Sequence, residues 1–329
     1  MDNISKVIES VEKILLSEKK IPVSFREFVC GKDYCDDSDI YQFWVDEEKK
    51  IPKKCSELII DGSLGGGKST FSAYYTAYRV YIWFLNGDPR KELGIAQNSD
   101  LYGFYFSVSL KMAEKSGFKL LYNVFKNCKW FKENMPMNTE LKSSIQFPAQ
   151  RFQIDYASAE THQTGLNVII FILDEANFRG GVGTGVAQEY EEVTFLYSQL
   201  LDRLVTRFGR PDGTVDALAM LISSASYQSA FAEQRRAAVE NDPNAHHIRA
   251  VGYKIKPQNY SKETFTVFSG TATQEPRIVK TEEQKQQIIQ ALGMEGTGLA
   301  EKYFLQVPVS IKRFFETNIN LALQNHCGV

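Results

Sequence analysis

The chain contains little histidine and cysteine, almost no net charge and no long apolar run. Its 329 residues include four histidines and five cysteines, and the formal net charge is −2. No apolar stretch approaches the roughly 20 residues that a membrane-spanning helix needs, and the first residues lack the basic-then-apolar order of a signal peptide. A uniformly basic surface is also excluded, so any contact with nucleic acid must come from local patches.

The cysteines predict free thiols in a reducing compartment, because their number is odd and no secretion signal accompanies them. They are Cys30, Cys35, Cys55, Cys128 and Cys327. A zinc site is the alternative, but the spacing of Cys30, Cys35 and Cys55 matches no common finger or ribbon. We therefore expect no metal at these residues.

An apolar strand at 57–62 runs directly into a glycine-rich loop that carries the G-x-x-x-x-G-K-[ST] pattern. Glycines at 65–67 let the backbone turn its N–H groups onto an anion, and the helix that follows adds its positive end. Lys68 then reaches the β- and γ-phosphates, and the Ser69 hydroxyl holds Mg²⁺. A chance glycine-rich turn would not combine strand, spacing, Lys and Ser. The predicted nucleotide-binding residues are Gly62, Ser63, Leu64, Gly65, Gly66, Gly67, Lys68, Ser69 and Thr70.

Strands alternate with helices along the rest of the chain, which predicts a mostly parallel sheet covered by helices on both faces. Further strands are expected at 102–108, 144–148, 151–157, 168–173, 217–224, 248–252 and 264–269. Helices are expected at 4–19, 68–85, up to 127, 188–208, 229–240, after 281 and at 309–325. The predicted class is an α/β P-loop NTPase of ASCE type with small helical additions at both ends. Its parts are a helical and irregular lead-in (1–55), an ATPase core (56–280) and a C-terminal extension (281–329).

Two further motifs predict hydrolysis and an output. The apolar run 168–173 ends in Asp174-Glu175, at the carboxyl edge of the sheet where α/β folds bind ligands. Asp174 would complete the Mg²⁺ shell with Ser69, and Glu175 would orient and deprotonate the attacking water. Hydroxyl side chains at the tip of strand 217–224 would sense the γ-phosphate. They belong to the predicted coupling motif Ser223, Ser224, Ala225 and Ser226, for which an ordinary turn is the alternative.

Together, segments 57–70, 165–178, 198–208 and 222–226 resemble the ATPase domain of the large terminase subunit of tailed bacteriophages. The resemblance implies ATP and Mg²⁺ as cofactors, Glu175 as the catalytic carboxylate and Ser223–Ser226 as the coupling motif. It implies a ring of subunits that pumps double-stranded DNA into a procapsid, with the portal protein and the small terminase subunit as partners. The expected location is the host cytoplasm at the portal vertex. Segment 305–329 resembles the family's exit from this domain.

The chain departs from the family pattern at two points. Thr164 stands where many terminases carry an arginine that acts on a neighbour's ATP, so Arg179, Arg203 and Arg207 are candidates by position only. Surface ion pairs are the alternative for each. The metal-dependent nuclease domain that usually follows is not visible after residue 281, so nuclease activity is not expected in this chain.

Contacts with DNA and with the base are predicted from local composition alone. The candidate DNA-binding cations are Arg235, Arg236, Lys254 and Lys256, which could touch phosphates without reading sequence. Tyr41, Phe43 and Trp44 could stack on adenine, although core packing is the preferred interpretation. Two other functions remain open: a helicase-like translocase, and a regulatory module that binds nucleotide without hydrolysing it.

Overall fold

The computed structural model describes residues 19–63, 65–107, 117–157, 165–174, 186–223, 231–259, 266–268 and 277–279. Their helices are α1 (Phe25–Cys30), α2 (Gln42–Glu48), α3 (Lys68–Phe84), α4 (Gly117–Asn127), α5 (Lys129–Asn134), α6 (Val186–Phe208), α7 (Phe231–Ala238) and α8 (Gly252–Ile255). Short 3₁₀ turns lie at Pro148–Gln150 and Pro257–Asn259. The helices predicted at 4–19, after 281 and at 309–325 fall outside the described residues. Within the described part of the chain, no helix is both long and apolar enough to cross a membrane.

Seven strands form one sheet in the order β3-β4-β2-β5-β6-β1-β7. All neighbours are parallel except β3, which pairs antiparallel with β4 at one edge. The strands are β1 (Glu57–Gly62), β2 (Leu101–Phe106), β3 (Ser144–Phe147), β4 (Phe152–Ala157), β5 (Asn167–Asp174), β6 (Leu218–Ser223) and β7 (Ala245–Ala250). A separate antiparallel pair joins β8 (Thr266–Phe268) to β9 (Arg277–Val279). The predicted mostly parallel α/β sheet is confirmed.

The middle of the sheet is apolar on both faces, which is why its strands could be recognised from composition. Every residue of β1, β5 and β6 is buried, as expected for parallel strands covered on both sides. Strand β6 lies between β1 and β5. An additional strand between the phosphate-loop strand and the acidic strand is the arrangement meant by the ASCE type, so this prediction also holds.

Helices cover both faces, and ring contacts show which helix lies where. Phe171 on β5 meets Tyr197 of α6 at 5.3 Å between ring centroids. On the other face, Phe152 of β4 meets Phe84 of α3 at 5.5 Å, and Tyr156 two pleats along meets Phe118 of α4 at 5.2 Å. Side chains alternate between faces along a strand. Helices α3 and α4 therefore lie opposite α6.

The lead-in before β1 is more ordered than the prediction of an irregular segment at 20–55. It contains α1 and α2, which pack on the aromatic face of α3. Phe25 lies edge-on to Phe71 at 5.7 Å, and Phe28 stacks on Tyr81 at 5.1 Å. Helices of six or seven residues are marginal by themselves, so this packing stabilises them rather than their local sequence.

Candidate active site

The loop after β1 has the left-handed backbone that its glycines predicted. Gly65 has φ +69° and Gly67 has φ +78°, a region that L-residues with side chains rarely adopt. Lys68 is the first residue of α3, and its ammonium donates hydrogen bonds to the carbonyl oxygens of Gly62 (2.8 Å) and Ser63 (3.0 Å). The loop is therefore folded around its lysine, as a phosphate-binding loop must be. Leu64 lies outside the described residues.

Neighbouring elements support the loop from its outer side. Trp44 of α2 is 1% exposed, stacks on Phe71 at 4.7 Å and donates from Nε1 to the Gly66 carbonyl at 2.9 Å. Lys256, just after α8, donates to the Gly65 carbonyl at 2.7 Å and lies 5.0 Å from the centre of the Tyr41 ring. Trp44 is therefore a packing residue of the loop, in agreement with the preferred interpretation of this aromatic group.

Asp174 ends β5 at the same sheet edge as the phosphate loop. It pairs in register with Ile222 of β6, and Ser223, one residue further, pairs with Asp61 of β1. Because only β6 separates β5 from β1, the two strands lie about 10 Å apart. The fold thus brings the Asp174 carboxylate and the phosphate loop together, as the two motifs predicted.

A tyrosine that the sequence did not single out holds the Asp174 carboxylate. Tyr105 on β2 is 1% exposed and donates its hydroxyl hydrogen to Asp174 Oδ2. A Cβ atom on Gly117, at the start of α4, would lie 1.6 Å from the Tyr105 hydroxyl oxygen, so only glycine leaves space for it. One signal was available: Tyr105 lies near the carboxyl end of the strand adjacent to β5.

The oxygen ligands here fit Mg²⁺. A buried carboxylate at Asp174 and the hydroxyl of Ser69, on the first turn of α3, are the hard donors that Mg²⁺ prefers. The described residues contain no group of three or more His, Cys, Asp or Glu side chains placed for a metal. An ion held here would therefore complete its shell with water and phosphate oxygens, as Mg²⁺ commonly does.

A second acidic group lies on the opposite face of the sheet, directly before the loop. Asp61 is 3% exposed, and its Oδ1 lies 3.2 Å from His247 Nε2 on β7. Glu233 of α7 belongs to the same cluster, and Arg236 binds its Oε2 at 3.1 Å. Burial, and after it the charge of Asp61, raises the pKa of Glu233 above its usual range, although Arg236 acts in the other direction.

Three of the four predicted DNA-binding cations have partners inside the domain. Arg235 makes a two-point ion pair with Glu57, at 2.6 Å to each carboxylate oxygen, and Tyr197 donates to the same carboxylate at 2.7 Å. Arg236 binds Glu233, and Lys256 binds the phosphate loop. Lys254 is exposed. Contact of these residues with DNA stays a prediction.

The described arginine candidates lie on α6, which runs away from the nucleotide edge. Arg207 donates to Asn167 Oδ1 at 2.7 Å, and Asn167 begins β5. Seven residues of strand separate Asn167 from Asp174, a distance of about 23 Å. Arg207 therefore cannot act on the nucleotide of its own chain, and its action on a neighbour's nucleotide stays a prediction, as does that of Arg203. The remaining predicted residues Glu175, Arg179, Ser224, Ala225 and Ser226 lie outside the described residues.

The parallel sheet, the glycine-rich loop and its lysine define a P-loop domain. Residues 5–274 match the family model described as "Uncharacterized protein MJ0330, N-terminal P-loop domain", so the chain belongs to this family. No curated protein matches the chain.

Among solved structures the chain is similar to large terminases. One is that of bacteriophage HK97, with 15% identity and a TM-score of 0.44 over 68% of this chain and 42% of that one. Another is the large terminase of a thermophilic bacteriophage in complex with ATP-γ-S, with 11%, 0.45, 82% and 53%. A mutant ATPase domain of the Thermus phage P74-26 terminase gives 10%, 0.45, 81% and 94%. The chain spans about half the length of the first two terminases. Such identities and TM-scores support no argument about function, which must come from the residues themselves.

Proposed function

We propose that this chain is the ATP-hydrolysing motor domain of a DNA-packaging terminase, which translocates double-stranded DNA into a procapsid. The observation that carries the proposal is the phosphate loop and Asp174 on one sheet edge, with β6 between their strands. A module that only binds phosphate needs the loop, whereas hydrolysis also needs an acidic group beside it.

In the proposed reaction, the loop N–H groups and Lys68 bind the β- and γ-phosphates of ATP. Glu175 follows Asp174 in sequence and accepts a proton from water as the water oxygen attacks the γ-phosphorus. The bond between that phosphorus and the β–γ bridging oxygen breaks, which leaves ADP and inorganic phosphate. Mg²⁺ held by Ser69 and Asp174 would neutralise the charge that develops on the phosphates. Tyr105 positions the Asp174 carboxylate for this role.

The proposed output passes through β6. Its last residue, Ser223, is 1% exposed and lies in register with Asp61, directly before the phosphate loop. A change at the γ-phosphate would therefore reach the Ser223–Ser226 motif over a short path. The proposed partners are double-stranded DNA, the portal protein, the small terminase subunit and further copies of the chain in a ring. The proposed location is the host cytoplasm at the portal vertex.

The proposal is tested by ATP hydrolysis with and without double-stranded DNA. We expect DNA to stimulate hydrolysis by the parent chain, Glu175→Gln to reduce turnover by about 100-fold or more while ATP binding persists, and Lys68→Ala to lose binding. Glu92→Gln is the matched control, because Glu92 is an exposed partner of Lys19. Normal hydrolysis by Glu175→Gln would contradict the catalytic assignment. Binding without turnover in the parent would favour a regulatory module, and duplex unwinding would favour a helicase-like enzyme.

A further inference from the structure

Two side chains from distant parts of the sequence bind consecutive carbonyl groups of the phosphate loop. Lys256 Nζ donates to the Gly65 carbonyl at 2.7 Å, and Trp44 Nε1 donates to the Gly66 carbonyl at 2.9 Å. They lie 191 and 22 residues away from these partners in sequence. Neither contact belongs to the G-x-x-x-x-G-K-[ST] pattern.

Each contact fixes a peptide group that carries a loop N–H. In a planar trans peptide the carbonyl and the following N–H point in opposite directions. When Lys256 holds the Gly65 carbonyl, the Gly66 N–H turns away from it, and that N–H closes the turn by donating to Ser63 at 3.2 Å. When Trp44 holds the Gly66 carbonyl, the Gly67 N–H points away from the tryptophan. The two donors therefore set the orientation of the loop's anion-binding amides.

The support is packed on one side and open on the other. Trp44 is almost fully buried, and Ile255 lies so close that a Cβ atom on Gly66 would come within 2.7 Å of its side chain. Lys256 is partly exposed and lies over the Tyr41 ring at 5.0 Å. In the part of the chain that the structure describes, no carboxylate lies within ion-pair distance of Lys256. Its charge is thus available to an anion in the loop.

We propose that Lys256 is a positioning residue of the nucleotide site: together with Trp44 it holds the phosphate loop in its anion-binding conformation. This inference rests on the proposed binding of ATP at the loop. It assigns Lys256 to the phosphate chain of the nucleotide rather than to DNA, and predicts that its effect does not depend on the base. A hydrogen bond that carries a charge is worth about 10- to 100-fold in binding.

The experiment measures the dissociation constants of ATP and of inorganic tripolyphosphate, which has no base or ribose. We expect Lys256→Met, which keeps the aliphatic stem without the charge, to weaken both ligands by the same factor, about tenfold. Lys256→Arg should restore both to within about threefold, because it keeps a cationic donor. The matched control is Lys254→Met, which removes an exposed lysine two residues away and should change neither. Unliganded Lys256→Met should unfold at the parent's temperature, which separates positioning from a loss of folding.

The other outcomes overturn the inference. Weaker ATP binding with unchanged tripolyphosphate binding would mean that Lys256 contacts the nucleoside. Weaker DNA binding with unchanged nucleotide binding would restore the original prediction of a DNA contact. Parent-like binding of both ligands by Lys256→Met would leave the motor proposal intact and refute only this inference. If the parent binds both ligands without DNA-stimulated hydrolysis, the motor proposal fails while this inference stands.

Discussion

The ion pair between Glu57 and Arg235 provides a prediction that separates a structural role from a DNA-binding one. Glu57 begins β1, and its side chain is 5% exposed, whereas that of Arg235 is 27% exposed. Arg235 also lies 5.7 Å from the centre of the Tyr197 ring. Burial, followed by the nearby Glu57 charge, raises the pKa of the Tyr197 hydroxyl, so this group stays a neutral donor. The substitution Arg235→Met would leave the Glu57 carboxylate buried with Tyr197 as its remaining partner among these contacts.

The size of the effect follows from the burial of the two partners. Removal of one member of a fully buried pair costs about 3–5 kcal/mol, because the other charge stays uncompensated. Arg235 is partly exposed, so water screens the pair and the lower part of that range applies. The Tyr197 hydrogen bond also persists. We therefore expect Arg235→Met to reduce the free energy of unfolding by about 2–3 kcal/mol.

Urea unfolding followed by circular dichroism measures this change as a lower midpoint at constant slope. The double variant Glu57→Gln with Arg235→Met should recover most of the loss, because it removes the buried charge and keeps an acceptor for Tyr197. Lys254→Met, an exposed cation from the same predicted DNA-binding set, should stay within about 0.5 kcal/mol of the parent. A parent-like midpoint for Arg235→Met, or a double variant no more stable than the single one, would refute the reasoning. Parent-like stability with weaker DNA binding would instead favour a DNA contact.

Two further predictions concern Tyr105 and Glu233. Tyr105→Phe removes the donor to Asp174, so the Mg²⁺ concentration for half-maximal ATP hydrolysis should rise about 10- to 100-fold; an unchanged Mg²⁺ requirement would show that the hydroxyl does not position the carboxylate. Because burial and the Asp61 charge raise the pKa of Glu233 above its ordinary value of 4.5, the folded chain holds this proton more tightly than the unfolded chain, and stability falls as the pH rises from 4.5 through the raised pKa. The variant Glu233→Gln cannot ionise and should gain unfolding free energy relative to the parent across that range in urea titrations; a difference that does not vary with pH would contradict the assignment.

The elements that could be predicted are those that local sequence encodes. Strands β1, β5 and β6 are apolar on both faces, and Lys68 marks a helix start because glycines precede it. The order of the motifs therefore gave the phosphate loop and Asp174 correctly.

The environment of the cations could not be predicted, because it depends on contacts between distant segments. Arg235 meets Glu57 across 178 residues, and Lys256 meets Gly65 across 191. A local cluster of positive charge looks the same whether its partners are buried acids, a loop carbonyl or DNA phosphates. The short helices α1 and α2 were missed for a related reason, since their stability comes from packing on α3 and not from a periodic pattern of their own.

The position of Trp44 gives the protein an optical sensor of its own. The chain has three tryptophans, and Trp44 is the one hydrogen-bonded to the phosphate loop, while Trp83 lies beside Arg79 and Trp130 against Tyr81. The emission of an indole changes with the polarity and hydrogen bonding around its N–H group. A chain in which Trp83 and Trp130 are replaced by phenylalanine would therefore report loop movements in real time, without an attached dye and from within the site itself.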